Sequence, residues 1–316
     1  MRNKTEAFSL VKMYISPTGM KRILTLSITV LLVFTLGHLA SSHFTTKAEK
    51  ALIFGTSVLA VVCVFYFEKR IFGKNKTGET LPDNWQAFIS EKNCYYRNLN
   101  QDDKETFKDK MSGFLNTTKI TGIDTIVHPE DRLLIASFAV IPILKVDWNY
   151  QNLHEILLYP NSFDSDFNTS HFAGDSPEIL GMVGEGSLEN TMIISKPDLW
   201  RFSWDGASPH NVVIHECAHL IDKFDGQTDG DPILLFDAKT KKGWDLQVSK
   251  ISEEMRRKET IIDPYALENN AEFFAVISEH FFMAPNSLAQ HYPELYKLLK
   301  LMYGQDPKAI LSSERH

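Results

Sequence analysis

Two apolar stretches stand near the start of the chain. Residues 23–40 (ILTLSITVLLVFTLGHLA) and 51–67 (ALIFGTSVLAVVCVFYF) run for 18 and 17 positions without Asp, Glu, Lys or Arg. Each approaches the ~20 residues an α-helix needs to cross the hydrocarbon layer of a membrane. Neither shows the polar face that a core helix of a globular domain normally presents. A cleaved leader accounts only for the first. Joined by the short polar segment 41–50, the pair predicts a two-helix transmembrane hairpin over 23–67, after a basic segment 1–22.

The pattern changes after residue 67. Residues 73–84 (GKNKTGETLPDN) are rich in Gly, Lys, Thr and Pro, so 68–84 is predicted to be a linker. From residue 85 to 316 the apolar positions recur with helical and strand periods. They predict helices over 85–98, 101–116 and 130–146, the last with a break at Pro142. Residues 155–159 (EILLY) and 190–195 (NTMIIS) predict short strands bounded by turn residues. The second is either an edge on which a substrate lies as an added strand or an interior strand. Ser208 as N-cap and Pro209 at the first helical position start a helix that runs to Phe224 and stops at Asp225-Gly226. Two more helices are predicted over 268–282, ended by Pro285, and 287–303. The fold class is therefore α+β, mostly helical, with a small sheet.

Charge sharpens this division. Residues 1–76 hold 11 Lys or Arg against 3 Asp or Glu, which leaves 22 basic and 37 acidic side chains for the rest. An acidic main body excludes nucleic acid as a partner, because phosphate binding needs a basic face. The basic head suits an anionic lipid surface. Five basic residues precede the first apolar stretch, two lie in the connecting loop and four follow the second. That distribution places both ends inside. The expected location is the bacterial inner membrane, crossed twice, with the large domain cytoplasmic and 23–67 in contact with lipid. Cys63, Cys94 and Cys217 are too few and too scattered for a disulfide framework, in keeping with a reducing compartment.

Within the predicted helix that ends at Phe224 lies His215-Glu216-Cys217-Ala218-His219, the HExxH pattern. Residues four apart share a helix face, so both imidazoles reach one metal ion. Glu216 lies beside them, placed to take a proton from water. The neighbours Val212, Val213, Ile214, Leu220 and Ile221 are apolar. Burying two histidines and a glutamate among them without a partner is costly, and a metal removes that cost. A catalytic zinc has three protein ligands and one open position. Helix 268–282 offers Glu268, Glu272 and Glu279. Glu272, flanked by Ala271, Phe273, Phe274, Ala275 and Val276, is the preferred third ligand, with Glu279 in reserve. Asp222, three residues after His219, is a candidate to hold a ligand imidazole from behind, and Glu279 is a candidate for the same supporting role. His210 fits a surface or capping role. Asp225, Asp229 and Asp231 lack the twelve-residue spacing of a calcium loop.

The stretches HNVVIHECAHLIDKFDGQTDGDP (210–232) and DPYALENNAEFFAVISEHFF (263–282) resemble the Mlc titration factor A family of zinc metallopeptidases. DRLLIASFAVIPIL (131–144), EILLYPNSF (155–163) and YPELYKLLKLMYGQDP (292–307) resemble it too, so the likeness spans roughly 85–307. It implies a zincin-like domain with a gluzincin-like site: Zn2+ on His215, His219 and Glu272, Glu216 as general base and Tyr265 as a nearby catalytic tyrosine. Cys217 stands where the family usually has an aromatic, and Thr228 where Ala is common. The implied activity is hydrolysis of a peptide or protein substrate with a zinc-activated water, with aminopeptidase-like and endopeptidase action both open. The family's founding name, which describes titration of a repressor, implies an alternative. In that reading the chain is a membrane-tethered binding module that sequesters a cytosolic transcriptional regulator.

Overall fold

The computed structural model describes residues 81–162, 181–184, 189–202 and 209–312. The chain divides after Thr77 into two units, and the described residues all belong to the second. The predicted basic segment and hairpin, residues 1–67, lie outside the described residues. Among the described residues no helix is long and apolar enough to cross a membrane.

The domain is mostly helical with a small mixed sheet. It opens with α1 (Trp85–Lys92) and α2 (Cys94–Arg97), where one helix was predicted. The break falls at Asn93, whose side chain accepts the Tyr96 N–H at 3.0 Å and caps α2. Helix α3 (Gln101–Thr117) is capped by Asn100 and buries Phe107, Met111, Phe114 and Leu115, one face at helical spacing. Helix α4 (Pro129–Ile143) starts at a proline behind a His128–Asp131 capping box and is buried along almost its whole length. It ends one residue after Pro142, close to the predicted break.

Four strands form the sheet: β1 (Lys119–Gly122), β2 (Glu155–Tyr159), β3 (Gly181–Val183) and β4 (Thr191–Ser195), in the order β1-β2-β4-β3. β1, β2 and β4 are parallel, and β3 is antiparallel at the edge. Ile156 and Leu158 of β2 face the core, in register with Met192 and Ile194 of β4. Strand β4 matches the predicted second strand but begins at Thr191, because Asn190 has a φ of 65°. It is interior; the edges are β1 and β3, two segments the pattern of apolar residues did not reveal.

A short helix α5 (Lys196–Leu199) leads away from the sheet. Helix α6 (Val212–Asp222) starts later than predicted. Its N-cap is Asn211, whose side chain accepts the Ile214 N–H at 3.0 Å; the predicted cap Ser208 lies outside the described residues. It runs into a 3-10 turn at Lys223–Asp225, which Gly226 closes at a φ of 96°. Helix α7 (Ala238–Arg257), not predicted, is a polar helix that inserts Trp244 and Ile251 into the core. Helix α8 (Asn270–Met283) is capped by Asn269. The predicted last helix is two, α9 (Pro285–His291) and α10 (Pro293–Tyr303), because Pro293 removes a donor and pushes Tyr292 out of helical backbone. A final turn of helix, α11 (Pro307–Ser312), follows. Phe274 and Phe281 of α8 stack on Tyr303 of α10 and Phe282 meets it edge-on, which holds α8 against the core.

Candidate metal centre

Helices α6 and α8 pack side by side, with β3 lying along α6. Their shared face carries His215, His219 and Glu272. His215 Nε2 lies 3.0 Å from Glu272 Oε2 and 3.2 Å from His219 Nε2. His219 Nε2 is 3.4 Å from the same carboxylate oxygen. Three donor atoms of metal-ligand type thus converge on one point. Among the described residues this is the one group of His, Cys, Asp or Glu side chains whose donor atoms close in this way.

The rest of the shell holds these side chains in place. Glu279 lies seven residues after Glu272, two turns along the same face of α8. Its Oε2 is 3.1 Å from His215 Nδ1 and its Oε1 accepts the Asn211 N–H at 2.6 Å. A carboxylate in that place favours the tautomer with the proton on Nδ1 and turns the Nε2 lone pair toward the convergence point. Glu279 therefore sits behind His215, in the supporting position, and not among the converging atoms. Asp222 does not make the predicted bond to an imidazole. Its Oδ2 accepts the Gly230 N–H at 2.9 Å, while Asp222 Oδ1 and His219 Nδ1 are both buried without a partner. Asp222 thus ties the end of α6 to the 226–230 loop. His210 is at the surface, 3.6 Å from Asp263.

Glu216 is buried against β3, and its Oε2 has no hydrogen-bond partner. Its approach to the strand depends on Gly181: a Cβ there would stand 2.7 Å from Glu216 Oε1. Tyr265, on the 3-10 turn Pro264–Leu267, is 53 % exposed with its ring centroid 6.2 Å from that of His215.

The electrostatics follow from burial and pairing. Burial pushes the Glu216 carboxyl up, against the opposing pull of His215 and His219. Burial opposes charge on His215, but the carboxylates of Glu279 and Glu272 outweigh it and hold the imidazole well above its ordinary value. Burial also acts against the Glu272 charge, yet hydrogen bonds from His215 and His219 hold it well below the carboxylate range. The Tyr265 hydroxyl is pushed up to about 12 by burial and by Glu272 and Glu216. Cys217, at an inner position of the motif, is fully buried and likewise pushed up to about 12, mainly by burial, so it is an inert packing residue.

All of this opens into a cavity of about 590 Å³. His215, Glu216, His219, Tyr265 and Glu272 line it. Gly181 to Val183, Lys223 and Asn269 line it too, and the sequence reading did not mark them. Lys223 was reachable by the helical count of four from His219. The β3 residues offered only Met182 and Val183 between two glycines.

Two helices that converge a His-His-Glu cluster beneath a sheet edge define a metallopeptidase-like domain. The chain belongs to the family of glucose-regulated metallo-peptidases M90, whose model it matches over residues 67–304. It is 28% identical to an uncharacterized protein of Synechocystis sp. over 252 residues, covering 76% of this chain and 88% of the relative. It is 31% identical over 185 residues to Mlc titration factor A of Escherichia fergusonii, covering 55% of this chain and 68% of that protein. To the Mlc titration factor A of Pectobacterium atrosepticum it is 28% identical over 197 residues, covering 57% and 70%.

Proposed function

We propose that this chain is a zinc-dependent peptidase. One observation carries the reading: two imidazole nitrogens and one carboxylate oxygen converge at 3.0, 3.2 and 3.4 Å, with the Glu216 carboxylate buried beside them in the same cavity. Four-coordinate zinc with bonds of ~2.0–2.1 Å spaces its ligand atoms about 3.3 Å apart, so the donor set fits that ion in number, type and spacing. A structural zinc would be closed by a fourth ligand, often cysteine, and Cys217 faces away into the core.

His215, His219 and Glu272 hold the ion in a gluzincin-like arrangement. Zinc, when bound, supplies a Lewis acid that polarises a carbonyl and acidifies water. Glu216 accepts the proton of the attacking water and passes it to the leaving amine. Its raised proton affinity suits that exchange better than an ordinary surface glutamate would. Tyr265 keeps its proton over the physiological range and donates a hydrogen bond to the developing oxyanion. Glu279 holds the His215 ring, and Asp222 holds the loop below. The peptide lies along the outer edge of β3, which no strand covers among the described residues. Residues 23–67 anchor the chain in the bacterial inner membrane with this domain on the cytoplasmic side; the apolar runs and their basic flanks support that arrangement.

The name of the relatives supports a second reading, in which the domain captures a cytosolic transcriptional regulator without cutting it. One experiment separates the two. The full-length protein is purified in detergent, its zinc content measured, and a peptide library incubated with it and with the Glu216→Gln variant. One zinc per chain and cleavage products from the wild type alone support the peptidase. Capture of a protein partner with no cleavage of any peptide supports the binding module.

A further inference from the structure

Among the described residues one lysine and no arginine line the proposed active-site cavity. Lys223 caps the C-terminal end of α6, four residues after His219 and eight after His215, so it continues the face that carries both imidazoles. At 1.5 Å of rise per residue its backbone lies about 6 Å along the axis from that of His219. It is the one Lys or Arg among the residues lining the cavity.

Among the described residues its bonding is incomplete. Nζ donates to the carbonyl oxygen of Gly184, just past the end of β3, at 3.3 Å. Among the described residues no carboxylate pairs with it. Lys196 and Lys241 are half-buried to a similar degree, and each is matched to an aspartate at 2.7 and 2.9 Å. An ammonium has three N–H donors, and Lys223 spends one on a long bond to a neutral carbonyl. Among the described residues such a half-buried charge has no anionic partner to offset its lost hydration. Asp229 also lines the cavity, but it is exposed at the rim and its Oδ1 accepts the Asp231 N–H.

We propose that Lys223 is a specificity residue that selects peptides carrying an Asp or Glu side chain close to the scissile bond, on the side of Gly184. The inference rests on the peptidase reading above for the seat of the peptide. The distance sets the register. About 6 Å along α6, together with the reach of the two side chains, corresponds to one to three residues of an extended strand at ~3.3 Å each. A carboxylate there completes the ammonium's hydrogen bonds and neutralises it, while a lysine at that position meets a like charge.

The test uses matched peptides that differ only in Glu, Gln or Lys at each position within three residues of the cut. Cleavage by the zinc-loaded full-length protein gives kcat/KM, and fluorescence anisotropy of labelled peptides gives binding to its Glu216→Gln variant. A charge-assisted contact predicts a preference for Glu over Gln of about tenfold, and a larger one over Lys, in both measurements. Lys223→Gln should flatten the series and Lys223→Glu should invert it, with zinc content and melting temperature unchanged. Equal binding of the Glu and Lys peptides by the wild type, no binding of any of them, or a preference that survives Lys223→Glu would overturn the proposal. Preferential binding of the Glu peptides without cleavage of any would overturn the peptidase reading and leave the selectivity standing.

Discussion

His215 Nδ1 lies 3.1 Å from Glu279 Oε2, and the other oxygen of that carboxylate accepts the Asn211 N–H at the start of the same helix. One buried glutamate thus fixes both the cap of α6 and the rotation of its first imidazole. This separates the roles of the two acids on α8. Glu272→Ala should abolish stoichiometric zinc binding, because it removes a converging atom. Glu279→Ala should keep one zinc per chain at saturating metal but weaken its affinity by about 10–100-fold, the usual cost of a lost supporting partner. Competition against a chelator measures both. The reverse pattern would make Glu279 the ligand and Glu272 the support.

Gly181 and Gly230 should fail in different ways. An alanine Cβ at Gly181 would stand 2.6 Å from Val212 Cγ2 and 2.7 Å from Glu216 Oε1, so the catalytic side chain or the strand must move. Gly181→Ala should lower kcat by about tenfold or more through Glu216, with a stability loss of about 1–3 kcal/mol or less. At Gly230 the φ is +81° and a Cβ would meet the Asn270 backbone oxygen at 2.3 Å. Backbone cannot step aside as a side chain can, so Gly230→Ala should unfold at the lower temperature of the two. Thermal melts alongside rate measurements decide this. Equal melting with equal activity would contradict it.

Asp222 gives the metal-free protein a pH signature. Burial, partly offset by the Gly230 N–H, raises its carboxyl from 3.8 to about 7. A raised folded value means that folding favours the protonated form. The stability from this site is complete below about pH 4 and is lost as pH rises toward 7. Asp222→Asn keeps an acceptor for Gly230 and does not ionise. The variant should therefore gain on the wild type between pH 5 and pH 8 in urea unfolding of the apoprotein. A stability difference that stays constant across that range would show that Asp222 does not titrate there.

Tyr265→Phe removes a hydroxyl and leaves the half-exposed ring in place. The hydroxyl meets the Glu272 carboxylate but is not one of the converging atoms, so the variant should stay folded and still bind one zinc per chain. Turnover should fall about 10²–10³-fold, as for the loss of one oxyanion donor, with little change in KM. A change confined to KM would instead make Tyr265 a ground-state contact.

Local chemistry explains what could be read from the chain and what could not. The HExxH spacing, the apolar flanks of Glu272 and the EILLY run each carry their own period, and each element lies where its period predicts it. The start of α6 was misplaced because Ser208-Pro209 and Asn211 are both sound caps, and the choice between them depends on Glu279, 68 residues away, which holds the Asn211 N–H. Strand β3 escaped notice because two residues between glycines, Met182 and Val183, have no period to detect. Helix α7 was not predicted although Trp244, Val248, Ile251 and Met255 follow a helical spacing, because that narrow apolar stripe lies on an otherwise charged cylinder. The tie between Asp222 and Gly230 is a tertiary fact that no spacing along one helix expresses.

The central claim is that Glu216 is the general base of a zinc peptidase, and Glu216→Gln tests it most directly. Glutamine matches glutamate in shape, and Glu216 is not among the converging atoms, so the variant should bind one zinc per chain. It has no basic carboxylate, so cleavage should fall by at least about a hundredfold, the lower end of what general-base assistance contributes. Zinc retained with activity lost is the predicted result. An unchanged cleavage rate in the zinc-loaded variant would contradict the account.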